Sequence, residues 1–444
     1  PMLKIITRSR LFIANLTGKI GFYPSLFALG GLVFGFAMLY AEDRGVSSFL
    51  IENAPQLVIN DAETARTLLS TFIGGIISLM VFSFSMVMIL LNQASNNYSP
   101  RILPGLISNK KHQNVLGFYI ATLIYCILIL LSIKPTDDKN QLPGFAVLVG
   151  IVLSMLVLAL FIYFIHSISE AIQINKIIES IYNSAKTRLQ QLISKTDDAL
   201  SKEDFPSSED WDAIEVNRTG YFQTIAVDAL LELCNTYDCS VEVSVPKGTF
   251  ILQGIPIAKC SKALDDKQKE QLLTCFGFSR SEIVSHNYIL GFKQLTEIAI
   301  KAMSPGINDP GTAITCIDYL SELFALRLKK EDFSFIKNQE KQAVIKLRTI
   351  DFKELIYFVF APLRAYCKHD VIMLHKMLTA LYFLQQSHSV IENSETIIID
   401  EANRILEDAK AGITNKEDLK GVFDIRNKMA AINSTQKKLV ALDH

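Results

Sequence analysis

Four long apolar stretches fill most of the first 166 residues of the chain. Each can cross all or most of a hydrocarbon core of about 30 Å as a helix rising roughly 1.5 Å per residue. The pattern therefore predicts a four-helix transmembrane domain over 20–166, preceded by a basic arm over 1–19. The stretches, none of which contains Asp, Glu, Lys or Arg, are 20–41, 68–91, 115–133 and 145–166.

The second stretch carries polar residues at a regular spacing. Thr71, Ser78, Ser85 and Asn92 recur every seven residues, and Gly75 lies beside the same line. Seven residues are nearly two helical turns, so these groups form one stripe along the helix. A polar group in hydrocarbon must contact protein or water. The stripe therefore predicts either close helix packing or the lining of a pore, and the sequence leaves both open.

The first stretch contains Gly31 and Gly35, a pair of small residues four apart. Such a pair lets the backbone of a neighbouring transmembrane helix come close. A chance pair in a glycine-rich span is the alternative.

Loop charges predict the orientation in the membrane. The basic arm, the loop 92–114 and the segment after His166 are rich in Lys and Arg, whereas the other two loops are balanced or acidic. These basic sides coincide if both termini of a multi-pass protein are cytoplasmic. The candidate residues at the cytoplasmic mouth of the stripe are then Asn96, Asn97, Tyr98 and Arg101.

Beyond the fourth stretch the apolar spacing remains helical. Residues 167–196 contain no Gly or Pro, and their pattern predicts one stalk helix that continues the fourth span. The acidic segment 197–212, with Ser and Pro, is the expected linker.

The remaining sequence predicts a cytoplasmic α+β domain. Residues 213–280 combine a helix with short alternating strands and predict a small α/β subdomain resembling a β half-barrel, while 281–444 predict a mainly helical subdomain. The turns from Gly248 to Pro256 resemble those of lipoyl- and biotinyl-type barrel domains, but no Lys occupies the position that would carry a prosthetic group.

Composition narrows the classes of function. A net charge of −1 gives no general case for binding nucleic acid. Seven scattered cysteines without a CxxC pair indicate free thiols rather than a zinc site. The chain lacks GxxxxGK[ST], GxSxG and HExxH motifs. We therefore predict no catalytic residues, metal or cofactor, and do not predict an enzyme.

The segment Ser304–Thr312 joins two amphipathic helical patterns. We expect Gly306 to adopt a positive φ and end the first helix, and Asp309 to cap the second, with Pro310 at its first position. The alternative is that the loop binds an ion or small ligand through free backbone N–H groups and side chains. The candidate ligand-loop residues are Ser304, Gly306, Asn308, Asp309 and Thr312.

Several of these motifs resemble one family. Ser83-Phe84-Ser85, Asn97-Tyr98-Ser99-Pro100-Arg101 and the segment Gly117–Tyr125 are similar to the membrane half of domain-of-unknown-function family 2254. Gly220-Tyr221-Phe222-Gln223 and the segment from Gly291 to Ala313 resemble its cytoplasmic half. The chain departs from the family at Ala226, where the family tends to place an Asp. The resemblance implies a bacterial inner-membrane protein and supplies no activity.

Two hypotheses about function follow. In the first, the chain forms a homo-oligomeric channel for small ions, with the second helix lining the path and the cytoplasmic domain gating it. In the second, it is a non-conducting regulatory or scaffolding protein of the bilayer whose cytoplasmic domain binds a ligand or partner. Uncharged spans count against an ion-coupled pump, which usually needs an ionisable group at membrane depth.

Overall fold

The computed structural model describes residues 21–47, 59, 61–97, 110–133, 142–171, 173–194, 205–279, 287–337, 342–433, 435 and 438–441. The chain divides into two compact units, which we call the membrane unit (Pro1–Lys176) and the C-terminal unit (Ile177–His444).

The membrane unit contains the four predicted spans. Each is a helix long and apolar enough to cross a membrane, which confirms the prediction of four apolar spans. The helices are α1 (Phe22–Asp43), α2 (Ala62–Asn97), α3 (Lys110–Ser132) and α4 (Gly144–Ala171).

Helix α3 packs against the other three helices of this unit. It approaches α1 closely, because a methyl group added at Gly31 would lie only 2.5 Å from the carbonyl oxygen of Ala121. A methyl group added at Gly35 would lie 2.7 Å from the Leu128 side chain. The small-residue pair on the first span therefore permits a close helix approach, as its spacing predicts.

Polar contacts secure one end of the membrane unit. The Glu42 carboxylate accepts a 2.7 Å hydrogen bond from the backbone N–H of Ala146, and the Ser47 hydroxyl accepts one of 3.0 Å from Phe145. Both donors lie in the first turn of α4, where backbone N–H groups have no partner within the helix. These contacts join the segment after α1 to the start of α4.

The chain after the fourth span forms two helices rather than one continuous stalk. Helix α4 ends at Ala171, and α5 spans Ile174–Ile193. At the junction, Gln173 N–H bonds the Glu170 carbonyl and Lys176 N–H bonds the Gln173 carbonyl. These bonds reach back three residues instead of four, so the regular α-helical ladder is interrupted.

The apolar stripe of α5 is buried within the C-terminal unit. The buried residues of this helix within that unit are Ile177, Ile178, Ile181, Tyr182, Ala185 and Leu189.

Two sheets share one apolar core in the C-terminal unit. The five-stranded sheet has the order β1-β5-β3-β8-β7, and the three-stranded sheet has the order β4-β2-β6. All pairs are antiparallel except β3 with β8. The strands are β1 (Asp212–Glu215), β2 (Gly220–Ile225), β3 (Val241–Val243), β4 (Phe250–Ile251), β5 (Pro256–Cys260), β6 (Phe276–Ser279), β7 (Phe333–Lys337) and β8 (Ala343–Arg348).

Helices form the rest of the unit. They are α6 (Val227–Tyr237), α7 (Asp266–Leu273), α8 (Ile289–Ala302), α9 (Pro310–Arg327), α10 (Phe352–Cys367), α11 (Val371–Gln385), α12 (Ser394–Gly412) and α13 (Lys416–Ile432). Residues of α6 and α7 belong to the core that the sheets share. The segment 281–444 is thus mainly helical, but it also contributes β7 and β8, which the sequence analysis did not predict. Lys346 on β8 lies opposite Glu242 on β3 and pairs with it at 2.8 Å, so this strand belongs to the core sheet.

Candidate functional site

Helix α2 has one face inside the membrane unit and another outside it. The inner face packs on α3 and α4. It contains Leu69, Ile76 and Ser83, which are seven residues apart and almost fully buried. Their spacing is that of the predicted polar stripe, shifted by two positions, so the stripe falls on a different side of the helix.

The predicted stripe lies on the exposed side of α2. Its members Thr71, Gly75, Ser78, Ser85 and Asn92 are all exposed. A methyl group added at Gly75, or at its neighbour Gly74, would meet no atom within 4 Å. Packing within the described part of the chain therefore does not account for these small residues.

Two hydroxyls of the stripe are bonded to their own helix. Thr71 Oγ1 donates to the Thr67 carbonyl at 2.7 Å, and Ser78 Oγ donates to the Gly74 carbonyl at 2.9 Å. The hydroxyl protons are thereby satisfied, while the oxygens keep lone pairs that can accept from water or contact a cation. The exposed stripe is thus a row of weak acceptors between apolar neighbours such as Val81 and Ile89.

The structure describes only part of the predicted cytoplasmic mouth. Asn96 and Asn97 belong to the last turn of α2. Tyr98 and Arg101 lie outside the described residues.

A buried polar residue of α2 was missed by the sequence analysis. Ser83 is completely buried on the face of α2 that packs on α3 and α4, and Tyr119 of α3 is also completely buried. The sequence does contain a signal, because Leu69, Ile76 and Ser83 repeat every seven residues. That signal was overlooked because the more polar stripe runs parallel to it.

The loop between α8 and α9 is built around a helix cap. The Asp309 carboxylate accepts from the Thr312 N–H at 3.1 Å and from the Thr312 hydroxyl at 2.6 Å, and Pro310 is the first residue of α9. The predicted cap is confirmed. Hydrogen bonds from the Thr312 side chain and backbone hold the pKa of Asp309 below its usual value.

The residue with a positive φ in this loop is Asn308, at 50°, and the expectation for Gly306 was wrong. Asn308 N–H bonds the Ser304 carbonyl, and Asp309 N–H bonds the Ala302 carbonyl at 2.8 Å. The chain therefore reverses at Asn308 and not at Gly306, and asparagine tolerates the left-handed region better than most residues.

The five loop candidates lie along one short, mostly exposed segment. Ser304 is half-buried and its hydroxyl donates to the Lys301 carbonyl at 2.6 Å. Residues 305–311 are exposed, and Thr312 is buried. Capping accounts for Asp309 and Thr312, whereas the side chains of Ile307 and Asn308 are exposed to solvent.

A family model described as "Predicted membrane protein (DUF2254)" matches residues 17–382. This chain belongs to the DUF2254 family. The match includes the stripe of α2 and the loop between α8 and α9.

Three curated mycobacterial proteins are similar to this family member. An uncharacterised protein of Mycobacterium tuberculosis, Rv1290c, and one of Mycobacterium bovis, Mb1321c, are each 25% identical to it over 337 residues. The aligned region covers 73% of this chain but 64% of each relative, so the chain spans less than two thirds of their length. No solved structure gives a significant match.

The loop of this DUF2254 protein connects to α5 through helix α9. The rings of Tyr182 on α5 and Tyr319 on α9 stack with centroids 4.5 Å apart. The Tyr182 hydroxyl donates to the Glu322 carboxylate and accepts from Lys186 Nζ at 2.9 Å. Burial, followed by the Glu322 contact, raises the pKa of Tyr182. Helices α5 and α9 are therefore joined by a ring stack and a hydrogen bond.

Within the described ranges, no group of three or more His, Cys, Asp or Glu side chains could hold a metal ion. His369 and Asp370, which are adjacent in the sequence and of metal-binding types, each make a structural contact. Asp370 caps α11 by accepting from Met373 N–H at 2.9 Å, and His369 Nδ1 lies 3.2 Å from the Gly412 carbonyl oxygen.

Proposed function

We propose that this protein is a subunit of a homo-oligomeric channel for small ions in a bacterial inner membrane. In this proposal α2 lines the path, both termini are cytoplasmic, and the C-terminal unit, with its half-barrel-like sheets, gates the path from the cytoplasm. The bilayer and other copies of the chain are its main partners.

The observation that carries the proposal is the exposure of the α2 stripe. Small and polar residues repeat along a transmembrane helix, yet no part of the same subunit packs over Gly75 or Ser78 in the described structure. Small residues on a lipid-facing surface gain nothing from lipid, whereas they allow close contact between subunits or leave room for a pore. If α2 helices from several copies of the chain surrounded a central axis, the stripe would line the path along that axis.

The chemistry of the stripe fits passage of weakly held ions. It presents neutral hydroxyl and amide groups, and no charged residue occurs between 68 and 91. Neutral acceptors can replace part of the hydration of an ion without holding it tightly, which conduction requires. Such a path would conduct without the ionisable relay of a coupled transporter.

A route for gating follows from the contact of α5 with α9. Helix α5 begins three residues after α4 ends, and within the C-terminal unit its Tyr182 is fixed on Tyr319 of α9. We propose that a change at the start of α9 reaches the fourth span through this contact. It is a two-helix link of the kind that gating by a cytoplasmic domain needs.

The test is ion flux in liposomes that contain the purified full-length protein. Substitution Ser85→Leu places a bulky apolar group on the stripe, and we expect at least a tenfold loss of flux with unchanged assembly. The matched control is Phe84→Leu, because Phe84 is also exposed but lies about 100° away around the helix. Absence of flux in the wild-type protein under every ionic gradient would refute the channel.

The alternative is a non-conducting regulatory or scaffolding protein. The exposed Ile307 and Asn308 at the start of α9 favour it, because capping leaves their side chains open to a ligand or partner. A ligand or partner whose binding is lost in Asn308→Ala, in a protein that shows no flux, would support this second function over the first.

A further inference from the structure

Helix α10 has one side buried in the C-terminal unit and the opposite side exposed. Leu355, Val359 and Leu363 are among its buried residues. Successive residues of a helix are about 100° apart, so these three lie on the side away from Ala361. The outward side, which we call the α10 face, lies within about 60° of Ala361 around the axis. Its residues, all exposed or half-buried, are Glu354, Tyr357, Phe358, Ala361, Ala365 and Lys368.

The centre of the α10 face is apolar. Tyr357 and Phe358 are 49% and 53% exposed, and their ring centroids lie 6.4 Å apart. Ala361 and Ala365 follow about one and two turns later, so a bulky half is followed by a shallow half. Arg404 of α12 lies over the Tyr357 ring, 5.6 Å from its centroid, and supplies a charged border. An exposed apolar patch with a polar border is typical of a surface that contacts another molecule.

The pattern of the α10 face is complementary to itself when it is reversed. Tyr357 and Ala365 are each four positions from Ala361, so a bulky residue and a small one are equally distant from the centre. Glu354 and Lys368 are each seven positions from Ala361 and have opposite charges. Lys368 directly follows α10, and its backbone is still helical, with φ −59° and ψ −16°.

We propose that the α10 face binds the same face of a second copy of the chain, with the two helices antiparallel and a two-fold axis at Ala361. In this pair the Tyr357 ring of one copy lies on Ala365 of the other, so large side chains fill the space beside small ones. Glu354 of each copy lies opposite Lys368 of the other. A two-fold interface uses one patch twice, which is the property that this face has.

The small residue at the centre permits a close pair. Helix axes come within about 8 Å of each other when small side chains lie at the contact. The two copies of Ala361 would then face each other across the axis. The inference shares with the proposed function only the association of copies of the chain. It requires neither contacts between α2 helices nor ion flux.

The experiment is disulfide cross-linking in membranes that contain the full-length protein, with copper phenanthroline as the oxidant. Ala361→Cys places a thiol on the two-fold axis, and we expect most chains to become linked dimers. The matched control is Ala365→Cys. In an antiparallel pair the two copies of position 365 are about 12 Å apart along the helices, whereas a disulfide needs Cα atoms within about 7 Å. The control should therefore link more slowly by roughly fivefold or more.

The wild-type protein gives the background of this experiment, because all seven of its cysteines are buried. The substituted positions are at least half-buried or exposed on one helix surface, where single changes have little effect on folding. An unchanged thermal unfolding temperature of each variant, measured in detergent, verifies this.

Charge reversal tests the register of the pair. In the Ala361→Cys protein, Glu354→Lys or Lys368→Glu brings like charges together twice and should slow cross-linking by roughly fivefold or more. The two changes combined restore opposite charges and should restore the rate to within about twofold. A role in the helix dipole alone predicts the reverse, because the combined change places a base in the first turn and an acid at the last.

Equal linking of Ala361→Cys and Ala365→Cys would overturn the antiparallel register, as would a combined reversal that links no faster than the single ones. A lack of dimers in Ala361→Cys would overturn the pairing itself. If the new thiol were then also protected from a maleimide reagent, the face would be covered by another segment or another protein. Flux is not measured, so failure here leaves the channel proposal to its own test.

Discussion

Two glycine pairs in the membrane unit have opposite surroundings. On α1, Gly31 and Gly35 contact α3 so closely that an added methyl group would lie 2.5 Å from Ala121 and 2.7 Å from Leu128. On α2, Gly74 and Gly75 have no atom within 4 Å of the same position. Both pairs occur in apolar stretches that contain no charged residue.

The difference shows which helix contacts are completed inside one subunit. The α1 pair is used by the chain itself, because Ala121 and Leu128 fill the space that the missing side chains leave. The α2 pair keeps its space open, together with the exposed stripe residues Ser78 and Ser85. The closely packed pair on α1 should therefore affect the stability of the protein. The exposed pair on α2 should affect its assembly or function.

The largest effect on folding is expected at Gly31. Substitution Gly31→Ala forces its methyl group against the α3 backbone, which cannot move aside as a flexible side chain can, and should destabilise the protein by about 1–3 kcal/mol. The neighbouring Gly30→Ala is the matched control, because nothing lies within 4 Å of its added methyl group. That variant should be as stable as the wild type or up to about 1 kcal/mol more stable.

Reversible unfolding of the detergent-solubilised protein by a denaturing detergent measures both variants. Equal stability of Gly31→Ala and Gly30→Ala would mean that α1 and α3 do not approach so closely, and the contrast with α2 would disappear.

An intermediate effect is expected at Asp309, another feature whose contacts are complete within the chain. Substitution Asp309→Ala removes the cap of α9 and should cost about 1 kcal/mol at neutral pH. The pKa of this carboxyl is lowered in the folded state, so its contribution is present above the ordinary pKa of 3.8 and is lost as the pH falls through the folded value. The difference between wild type and variant should therefore narrow in acid.

Chemical denaturation at neutral pH and near pH 3 measures this difference for Asp309. If the difference in unfolding free energy between the wild type and Asp309→Ala is the same at both pH values, the cap acts without its charge. Asp370→Ala is a useful comparison, since Asp370 caps α11 in the same way.

The smallest effect on folding is expected at Gly75, where the comparison between the two helices is sharpest. Substitution Gly75→Leu should change the stability of the subunit by no more than about 0.5 kcal/mol, because its side chain enters open space. It should instead disrupt the proposed oligomer by keeping neighbouring α2 helices apart. Light scattering with a correction for bound detergent, supported by cross-linking in membranes, measures the subunit number. An unchanged oligomer would place the α2 stripe against lipid.

Local features of the fold could be predicted from individual residues. The uncharged spans and the Asp309–Pro310 cap depend on neighbouring residues alone, and both are present in the structure. The break after Ala171 was not predicted, because 167–196 contain neither Gly nor Pro and the apolar spacing continues across it. The positive φ of Asn308 was not predicted, because glycine, here Gly306, is the more usual residue for that conformation.

Other features depend on residues far apart in the sequence. Strand β8 pairs with β3 about one hundred positions earlier, and the short run 343–348 gives no local sign of that partner. The stacked rings of Tyr182 and Tyr319 likewise join α5 to the distant helix α9. Only the folded chain brings these groups together, and pattern analysis of one segment at a time does not detect them.

Local sequence is sufficient to show that four stretches can form membrane helices and that α2 carries two lines of residues at a seven-residue spacing. It does not show that Leu69, Ile76 and Ser83 face inward while Thr71, Ser78 and Ser85 face outward. Lipid is as apolar as a protein core, so hydrophobicity does not sort the faces of a transmembrane helix as it does in water. Fit against neighbouring helices makes that choice, and it depends on the whole unit.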